Sequence, residues 1–523
     1  MIFSMLYNNN VPAKVKMRQR FLKHDKIIMI AGILLLSIIK LVIHLIGNRN
    51  YGFHRDELLH LSASEHLDWG YMEFPPFIAL IGKIQYILFD YSLLGTRIFP
   101  MLCGVGIVIL SCFIAKELGG KSPAILLTGI CVLSFMPFYR NHLLFQPVAF
   151  DQFFWTLGFF LILKYINTQK RWYLLGFGIT AGLGLMNKYT MIIFLIGILL
   201  GVMIFERKKF LNNKYSYFAL LIALAIILPN IIWQIRHDFP AIDHITKLKE
   251  TQLNGINRLE FFTEQFHYNP FVLAVSFLGL IGLIFLQPLK KYKMFGIAVL
   301  SIILLFFIQK AKAYYLCAAY SILFASGAVM FDHILKKRKV IVLLLLIPMI
   351  SYTVMALPHL IPIMPVESYI KYASLEKDEN NRVNGLTGDY ADMFGWEEQA
   401  ILVDSVYNSL SESEKEKCIL WAENYGEAGA INILGKKYGL PAPVCKHGSF
   451  WLWGPGNNEG YSAISLGNQK HSVEMFYEEF TLIKTITHPY AIDEENNIPL
   501  YLCKKPKISM QEIWPEFREH VFD

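Results

Sequence analysis

An Arg-Asp-Glu triplet, Arg55 to Glu57, follows the first long apolar segment and is the strongest candidate for chemistry in this chain. Charged side chains are costly at a bilayer, so two adjacent carboxylates at the end of a membrane span indicate a function. Neighbouring side chains on a helix point about 100° apart. We therefore expect one carboxylate of Asp56 and Glu57 to face a reacting group and the other to support it. His60 lies four residues after Asp56 and would share its helix face.

Two further acids are predicted to lie on the same side of the membrane. Glu73 precedes Pro75-Pro76, a stiff turn that would hold the acid in place, and Asp151 begins an otherwise apolar segment. Each acid also has a structural interpretation. Asp56 and Glu57 would cap a surface helix, Asp151 would cap a span, and Glu73 would be a solvated loop acid. Their convergence at the outer ends of different segments favours a functional site.

Basic residues accompany these acids at the predicted outer ends of spans. Snorkelling to the interface explains each one singly. Together they would suit a phosphate or diphosphate group at the membrane surface. We predict a substrate-binding role for these residues and for the flanking Arg55, His60, Glu73 and Asp151. The basic residues are Lys188, Arg236, His237, Lys310 and Lys312.

Composition places the chain among integral membrane proteins. Of its 523 residues, 54% are hydrophobic and only 17% are charged. Long apolar segments recur until about residue 357, which no soluble domain would carry. The net charge of +8 does not indicate nucleic-acid binding, because the basic residues cluster in short loops between apolar segments.

About eleven membrane spans are predicted, by the criterion of about twenty apolar residues for a core about 30 Å thick. Basic clusters at 14–26, 116–121, 164–171, 207–209, 290–293 and 336–339 all fall on one side if the spans alternate. The N-terminus is then cytoplasmic. The predicted spans are 27–46, 95–115, 122–139, 147–165, 172–186, 188–206, 216–235, 268–288, 293–309, 313–332 and 340–357.

Two domains follow from this pattern. Residues 1–357 form the membrane module, with an outer loop at 47–94 that carries the triplet. Residues 358–523 have mixed polarity and turn signals such as Asn384-Gly385, and they predict an extracytoplasmic α/β domain. No His/Cys cluster has zinc spacing, and the sequence requires no cofactor, although a divalent ion between carboxylates and phosphate is compatible with it. The tail cysteines Cys418, Cys445 and Cys503 leave one disulfide possible.

Several segments together resemble the GT-C membrane glycosyltransferases, in particular the bacterial relatives of dolichyl-phosphate-mannose protein mannosyltransferases. The resemblance extends over nearly the whole chain. The segments are YGFHRDE at 51–57, WGYMEFPP at 69–76, GLGLMNKYT at 182–190, NIIWQIRHDFP at 230–240, KAYYLCAAY at 312–320, FGWEEQA at 394–400, ENYGEAGAIN at 423–432 and SFWLWGP at 449–455.

The resemblance implies transfer of a sugar from a polyprenyl-phosphate carrier to an acceptor outside the cytoplasm, with inversion. By position, Asp56 matches the family's catalytic acid, Glu57 its paired neighbour and Asp151 a later acid. Glu73 resembles a second loop acid of the branch that modifies lipid A with aminoarabinose. That branch has a Lys after its second acid, where this chain has Phe74. The phosphate-binding residues of that branch therefore cannot be assigned to positions of this chain.

The predicted chemistry agrees with this resemblance. An inverting transfer needs one base to deprotonate the acceptor, and cations can stabilise a lipid-phosphate leaving group in place of a general acid. The expected partners are a polyprenyl-phosphate sugar donor, a glycan, lipid or protein acceptor and the lipid bilayer. The expected location is the bacterial inner membrane. The alternative is a transporter or flippase of lipid-linked saccharides, for which mid-span charges and a symmetric repeat would be typical.

Overall fold

The computed structural model describes residues 13–253, 255–335 and 339–518. Up to Leu360 the described chain is almost entirely helical. Of the predicted basic clusters, 14–26 lies partly and 336–339 wholly outside the residues whose side chains are described. The helices are α1 (Ala13–Gly47), α2 (Arg55–Ala63), α3 (Phe77–Phe89), α4 (Leu93–Glu117), α5 (Ser122–Ser134), α6 (Pro137–Asn141), α7 (Pro147–Thr168), α8 (Arg171–Asn187), α9 (Met191–Phe205), α10 (Arg207–Leu211), α11 (Lys214–Arg236), α12 (Pro240–Leu248), α13 (Glu260–Tyr268), α14 (Pro270–Phe285), α15 (Lys293–Ile308), α16 (Tyr320–Leu335) and α17 (Lys339–Leu360).

The chain is an integral membrane protein with many spans, as the sequence predicted. Among the described residues, seven helical segments are long and apolar enough to cross a membrane. An eighth is present if α13 and α14, which meet at 113°, count as one span. Every predicted span contains a helix, but α5 and α9 have only 13 and 15 residues. The count of eleven therefore stays a prediction. The apolar helix α3, inside the predicted outer loop, was not anticipated.

Glycines allow the membrane helices to approach closely, because a residue without a side chain lets two backbones meet. A Cβ atom on Gly327 of α16 would lie 1.9 Å from the carbonyl oxygen of Val275 in α14. A Cβ atom on Gly201 of α9 would lie 2.2 Å from the carbonyl oxygen of Met294 in α15. These two contacts bring helices from the second half of the membrane module into one bundle.

The chain after α17 forms the predicted α/β domain. Its mixed sheet has the strand order β1-β2-β4-β3, in which β1 and β2 are parallel and the other pairs are antiparallel. The strands are β1 (Cys418–Ala422), β2 (Ser462–Leu466), β3 (Tyr477–Ile486) and β4 (Ile498–Pro506). The helices are α18 (Val366–Tyr372), α19 (Gly388–Ala391), α20 (Trp396–Asn408), α21 (Glu412–Lys415), α22 (Tyr425–Leu434), α23 (Gly448–Trp453), α24 (Lys470–Phe476) and α25 (Met510–Ile513). The seven cysteines are free thiols, so the disulfide considered in the tail is not formed.

The helix that carries the acidic triplet, α2, is packed between the membrane helices and the α/β domain. All its residues from Glu57 to Ala63 are buried. Leu58 belongs to one hydrophobic core that includes Phe150 of α7, Trp396 of α20 and Ile431 of α22. A Cβ atom on Gly429 would lie 2.8 Å from Leu58, so α22 rests directly on α2. The α/β domain therefore lies on the face of the bundle that carries the triplet.

Replacing Gly327 by Ala tests the close contact between α14 and α16. The new methyl group would overlap the Val275 carbonyl oxygen, and the helices would have to separate. We expect a loss of about 1–3 kcal/mol, measured as a lower melting temperature of the protein in detergent. Gly176→Ala is the matched control, because its Cβ would lie 3.6 Å from Leu161, an ordinary contact. Equal melting temperatures for Gly327→Ala and wild type would contradict the packing.

Candidate active site

The first turn of α2 is held by a reciprocal capping arrangement. His54 precedes the helix, and its Nδ1 accepts a hydrogen bond from the Asp56 amide at 3.2 Å. The Glu57 carboxylate in turn accepts one from the His54 amide at 2.9 Å. Carboxylates are favoured in the first turn, where the helix dipole is positive. The sequence therefore folds locally so that two adjacent acids begin this helix and point in different directions.

The negative charge of Glu57 is balanced by Arg97 inside the protein. Neither its side chain nor that of Arg97, from α4, is exposed to solvent. The guanidinium donates to Glu57 Oε1 at 3.0 Å and to Oε2 at 2.7 Å, and the Phe145 amide also donates to Oε1 at 2.9 Å. Burial acts to raise the pKa of Glu57, but the Arg97 charge and these donors hold it below its ordinary value. Glu57 thus joins α2, α4 and the segment before α7.

Asp56, in contrast, is half-buried and held by neutral donors. The amide of Gln146 donates to Oδ2 at 2.6 Å, and the hydroxyl of Tyr425, from the α/β domain, donates to Oδ1 at 3.1 Å. Burial acts to raise the pKa of Asp56, but nearby basic groups, His54 foremost and also Arg140, lower it below its ordinary value. Asp56 is therefore ionised at neutral pH, and from the described side chains its carboxylate accepts two hydrogen bonds, fewer than its roughly four lone-pair positions allow.

Arg140 connects Asp56 to the α/β domain. Its guanidinium donates to the Gln146 side-chain oxygen at 2.6 Å, and Gln146 in turn donates to Asp56. The other edge of the guanidinium forms a forked pair with Asp389, at 2.9 Å for the shorter contact. Arg140 keeps the pKa of Asp389 far below its usual range despite burial, which acts to raise it.

Lys188 and Asp151 lie together, with two tyrosines beside them. The Lys188 ammonium lies 4.4 Å from the ring centre of Tyr315 and 5.6 Å from that of Tyr314. It is also within electrostatic range of Asp151, whose Oδ2 accepts a hydrogen bond from Thr190 at 2.9 Å. Tyr314 lies close enough to Asp56 and Arg140 to interact with their charges. Tyr314 therefore lies between the surroundings of Asp56 and those of Lys188.

Arg55 is half-buried and His60 is buried. Arg55 pairs with Asp392 at 3.1 Å and with Glu494 at 3.3 Å, so it connects α2 to the α/β domain. His60 is buried beside Phe74, with ring centres 4.8 Å apart. Burial lowers the pKa of His60 to about 4, so its ring is neutral at physiological pH.

Glu73 is bound by the α/β domain. Its Oε1 accepts a hydrogen bond from the Ser449 amide at 2.6 Å, and its Oε2 contacts the Ser449 hydroxyl. The same hydroxyl oxygen accepts one from the Met72 amide at 3.0 Å. Burial raises the pKa of Glu73 to about 7, although the Ser449 donors act to lower it.

The remaining predicted residues lie at or just after the C-terminal ends of α11 and α15. His237 stacks on Trp233, with ring centres 4.0 Å apart, while Arg236 beside it is exposed. The Lys312 ammonium donates to Gln252 at 2.9 Å. Lys310 lies two residues before Lys312 with a positive φ of 52°. In the described contacts, His237 and Lys312 therefore bind other residues and not the Asp56 carboxylate.

Sequence reasoning missed the residues that hold Asp56 and Glu57 in place. Arg97 and Arg140 lie at the outer ends of predicted spans, so the criterion that identified Lys188 would have found both. Asp389 gave no local signal, and Tyr425 lay only within the family-like segment 423–432 with no role assigned to it. Each is more than 240 residues from its partner. In the part of the chain that the structure describes, no group of three His, Cys, Asp or Glu side chains is arranged to hold a metal ion.

Comparisons with known proteins support the resemblance found in the sequence. Residues 73–233 match the family model described as dolichyl-phosphate-mannose-protein mannosyltransferase. The fold is similar to that of ArnT from Cupriavidus metallidurans bound to undecaprenyl phosphate, with a TM-score of 0.60 and 12% identity over 90% of this chain and 97% of that one. The apo state of that ArnT gives the same score and identity, over 90% of this chain and 98% of that one.

A weaker likeness, with a TM-score of 0.48 and 11% identity, is to the Archaeoglobus fulgidus oligosaccharyltransferase tethered with an acceptor peptide. It covers 78% of this chain and 63% of that one. No curated protein sequence matches the chain significantly. The resemblance to GT-C membrane glycosyltransferases is confirmed by the family match over residues 73–233 and by the shared fold.

Removing one partner of the buried Glu57–Arg97 pair should destabilise the protein strongly. Glu57→Gln would leave the Arg97 charge buried without a counter-ion, which costs about 3–5 kcal/mol. The measurement is the free energy of unfolding, or the melting temperature, in detergent. Glu494→Gln is the control, because this exposed partner of Arg55 should contribute no more than about 1 kcal/mol. A Glu57→Gln variant as stable as Glu494→Gln would contradict this account.

The raised pKa of Glu73 predicts a pH-dependent stability. The folded protein keeps a proton on Glu73 up to about pH 7, whereas the unfolded chain loses it near its ordinary pKa. This contribution to stability is therefore complete at acidic pH and is lost as the pH rises through 7. We expect the melting temperature to fall between pH 5 and 8, and to fall less in Glu73→Gln. Glu478→Gln, at an exposed position, should keep the wild-type slope. An unchanged slope in Glu73→Gln would exclude this contribution.

Proposed function

We propose that the protein is a glycosyltransferase that moves a sugar from a polyprenyl-phosphate donor to a hydroxyl group of an extracytoplasmic acceptor. The observation that carries the proposal is the state of Asp56. It is an ionised, half-buried carboxylate, and the described side chains that bind it are two neutral donors. The family match and the shared fold with ArnT, whose structure holds undecaprenyl phosphate, support this substrate class.

Asp56 is the proposed base. An acceptor hydroxyl that attacks the sugar becomes acidic as its oxygen bonds to carbon, so a carboxylate of low pKa can take the proton. Gln146 and Tyr425 orient the carboxylate from both oxygens, and Glu57 positions it by anchoring the same helix turn. Attack from the face opposite the phosphate inverts the configuration of the sugar.

Lys188 and Arg140 are the proposed cations for the departing lipid phosphate. Lys188 lies on tyrosine rings, which leaves its ammonium hydrogens available to an oxyanion. Arg140 is partly neutralised by Asp389, and its side chain is 28% exposed. Arg236 and Lys312, at other outer span ends, would serve the phosphate only at longer range.

An apolar cavity supports a prenyl chain as part of the donor. It has a volume of about 580 Å³ and is lined almost entirely by apolar side chains of α13 to α16. Leu316 and Tyr320 line it; Leu316 directly follows Tyr315 along the chain, and Tyr320 lies five residues after Tyr315. A lipid tail in this cavity would lead to a phosphate beside Lys188.

The acceptor would enter beside the α/β domain, because this domain contributes Tyr425 to Asp56 and Ser449 to Glu73. The acceptor is a glycan, lipid or protein hydroxyl. We place this domain and the outer loop 47–94 on the extracytoplasmic side of the bacterial inner membrane, with a cytoplasmic N-terminus. We keep the division at residues 357 and 358, close to the end of α17 at Leu360.

Replacing Asp56 by Asn tests the proposal directly. The protein in lipid nanodiscs is incubated with a panel of polyprenyl-phosphate sugars and candidate acceptors, and sugar transfer is measured. Loss of a general base should lower kcat by about 10²–10⁴-fold. Asp90→Asn is the control, an exposed acid of the same outer loop, and should transfer at the wild-type rate.

Transfer by Asp56→Asn at nearly the wild-type rate would show that Asp56 is not the base. If the wild-type protein transfers none of the sugars but moves a lipid-linked saccharide across the bilayer, the flippase alternative replaces the proposed function.

A further inference from the structure

A second apolar cavity lies in the membrane module, away from Lys188. Its volume is about 310 Å³, and side chains of α7 to α11 line it. Leu174, in the first turn of α8, and Phe210 of α10 are among them. Lys188 directly follows the other end of α8. The cavity is therefore separate from the proposed site of sugar transfer.

The cavity is open towards the hydrocarbon core of the bilayer. Leu199 of α9 and Leu220 of α11 line it and are exposed on the outside of the helix bundle. Other lining residues, such as Leu174 and Ile198, are buried. A concave surface with an almost entirely apolar lining suits an apolar occupant. At this position in a membrane protein, the fitting occupant is the acyl chain of a lipid.

Basic residues adjoin the lining residues at one end of the cavity. Lys208 precedes the lining residue Phe210 by two positions, and Lys214 precedes the lining residue Ser216 by two. Both lysines are exposed. The short helix α10 and the start of α11 belong to the connection between two apolar helices, so these lysines lie near the membrane surface.

Arg171 joins this group from the start of α8. Its guanidinium donates to the Tyr215 hydroxyl at 2.7 Å, and Tyr215 directly follows Lys214 along the chain. Trp172, beside the arginine, is exposed, which is typical of a helix end at the level of the lipid headgroups. Arg171 and Lys214 therefore lie at the same end of the cavity.

The positive charge at this end is not balanced by the protein. Glu206, the acid nearest along the chain, pairs with Lys209 at 2.8 Å. Across the side chains that the structure describes, no carboxylate forms an ion pair with Arg171, Lys208 or Lys214. An anionic phospholipid would satisfy both parts of this region, because its phosphate lies where its acyl chains begin.

We propose that this cavity binds one anionic phospholipid, with an acyl chain between α8, α9 and α11 and the phosphate beside Arg171, Lys208 and Lys214. In the proposed orientation this end of α8 faces the cytoplasm, so the lipid comes from the inner leaflet, where anionic lipids attract basic residues. The lipid is distinct from the sugar donor, whose phosphate is placed beside Lys188 at the other end of the same helix.

A lipid titration tests the role of the headgroup. The full-length protein, purified in detergent and freed of lipid, is titrated with phosphatidylglycerol or with phosphatidylcholine of the same acyl chains. Native mass spectrometry measures the bound lipid. We expect phosphatidylglycerol to bind about tenfold more tightly, because only its headgroup has a net negative charge. Equal affinities for the two lipids would overturn the proposal.

Two pairs of substitutions test which lysines bind the phosphate. Lys208→Gln combined with Lys214→Gln should weaken the binding of phosphatidylglycerol by about tenfold. Lys290→Gln combined with Lys291→Gln is the control, because these exposed lysines belong to another basic cluster and do not adjoin the lining residues. The control should bind like the wild type. An equal loss in both double variants would show only a general attraction of the lipid and would also overturn the proposal.

A bulky side chain at the open side of the cavity tests the position of the acyl chain. Leu220→Trp should lower the affinity for phosphatidylglycerol by about tenfold, because the indole would take the place of the chain. Leu224→Trp, one turn further along α11, is the control, since Leu224 is equally on the exposed side but does not line the cavity. Melting in detergent verifies that Leu220→Trp is folded, and Leu199→Trp replaces it otherwise. Wild-type affinity in the folded variant would contradict a chain in this cavity.

Discussion

The forked ion pair between Glu57 and Arg97 is the constraint on which the rest of the site depends. It joins α2 to α4 without any contact with water, and it also receives the Phe145 amide. A buried charge that loses its partner is strongly destabilising. The first turn of α2 must therefore keep Glu57 beside Arg97. That position directs Asp56 towards Gln146 and Tyr425. Two adjacent ionised acids thus have different environments: the charge of Glu57 is balanced by Arg97 in the interior, and Asp56 is half-buried and accepts hydrogen bonds from neutral donors.

The α/β domain is part of the same site. Tyr425 binds Asp56, Asp389 binds Arg140, Asp392 binds Arg55, and Ser449 binds Glu73. The membrane module therefore supplies Asp56, Glu73 and the two arginines, and the domain supplies the hydrogen-bonding and acidic partners that orient them. The shared hydrophobic core under α22 makes this arrangement rigid, because α2 is buried on both sides.

Much of this organisation could be predicted from the sequence, and the missing parts have physical reasons. Hydropathy and the acidic triplet predicted a membrane protein with an outer loop of chemical interest, and the mixed polarity of the tail predicted an α/β domain. Helix periodicity also implied that Asp56 and Glu57 diverge. It could not say which one is neutralised, since that depends on Arg97, forty residues away. Short helices such as α3 and α5 obscured the span count, because a segment of 13 residues satisfies no length criterion for a span.

The separation of Asp56 and Tyr425 by 369 residues has a consequence for biosynthesis. Chains emerge from the ribosome N-terminus first, so α2 reaches the membrane surface long before α22 exists. During that interval the nascent protein carries its acidic triplet without the tyrosine, the Asp389 partner of Arg140 or the serine that holds Glu73. The contacts that hold Asp56, Arg140 and Glu73 therefore form only after residues 389 to 449 have been synthesised.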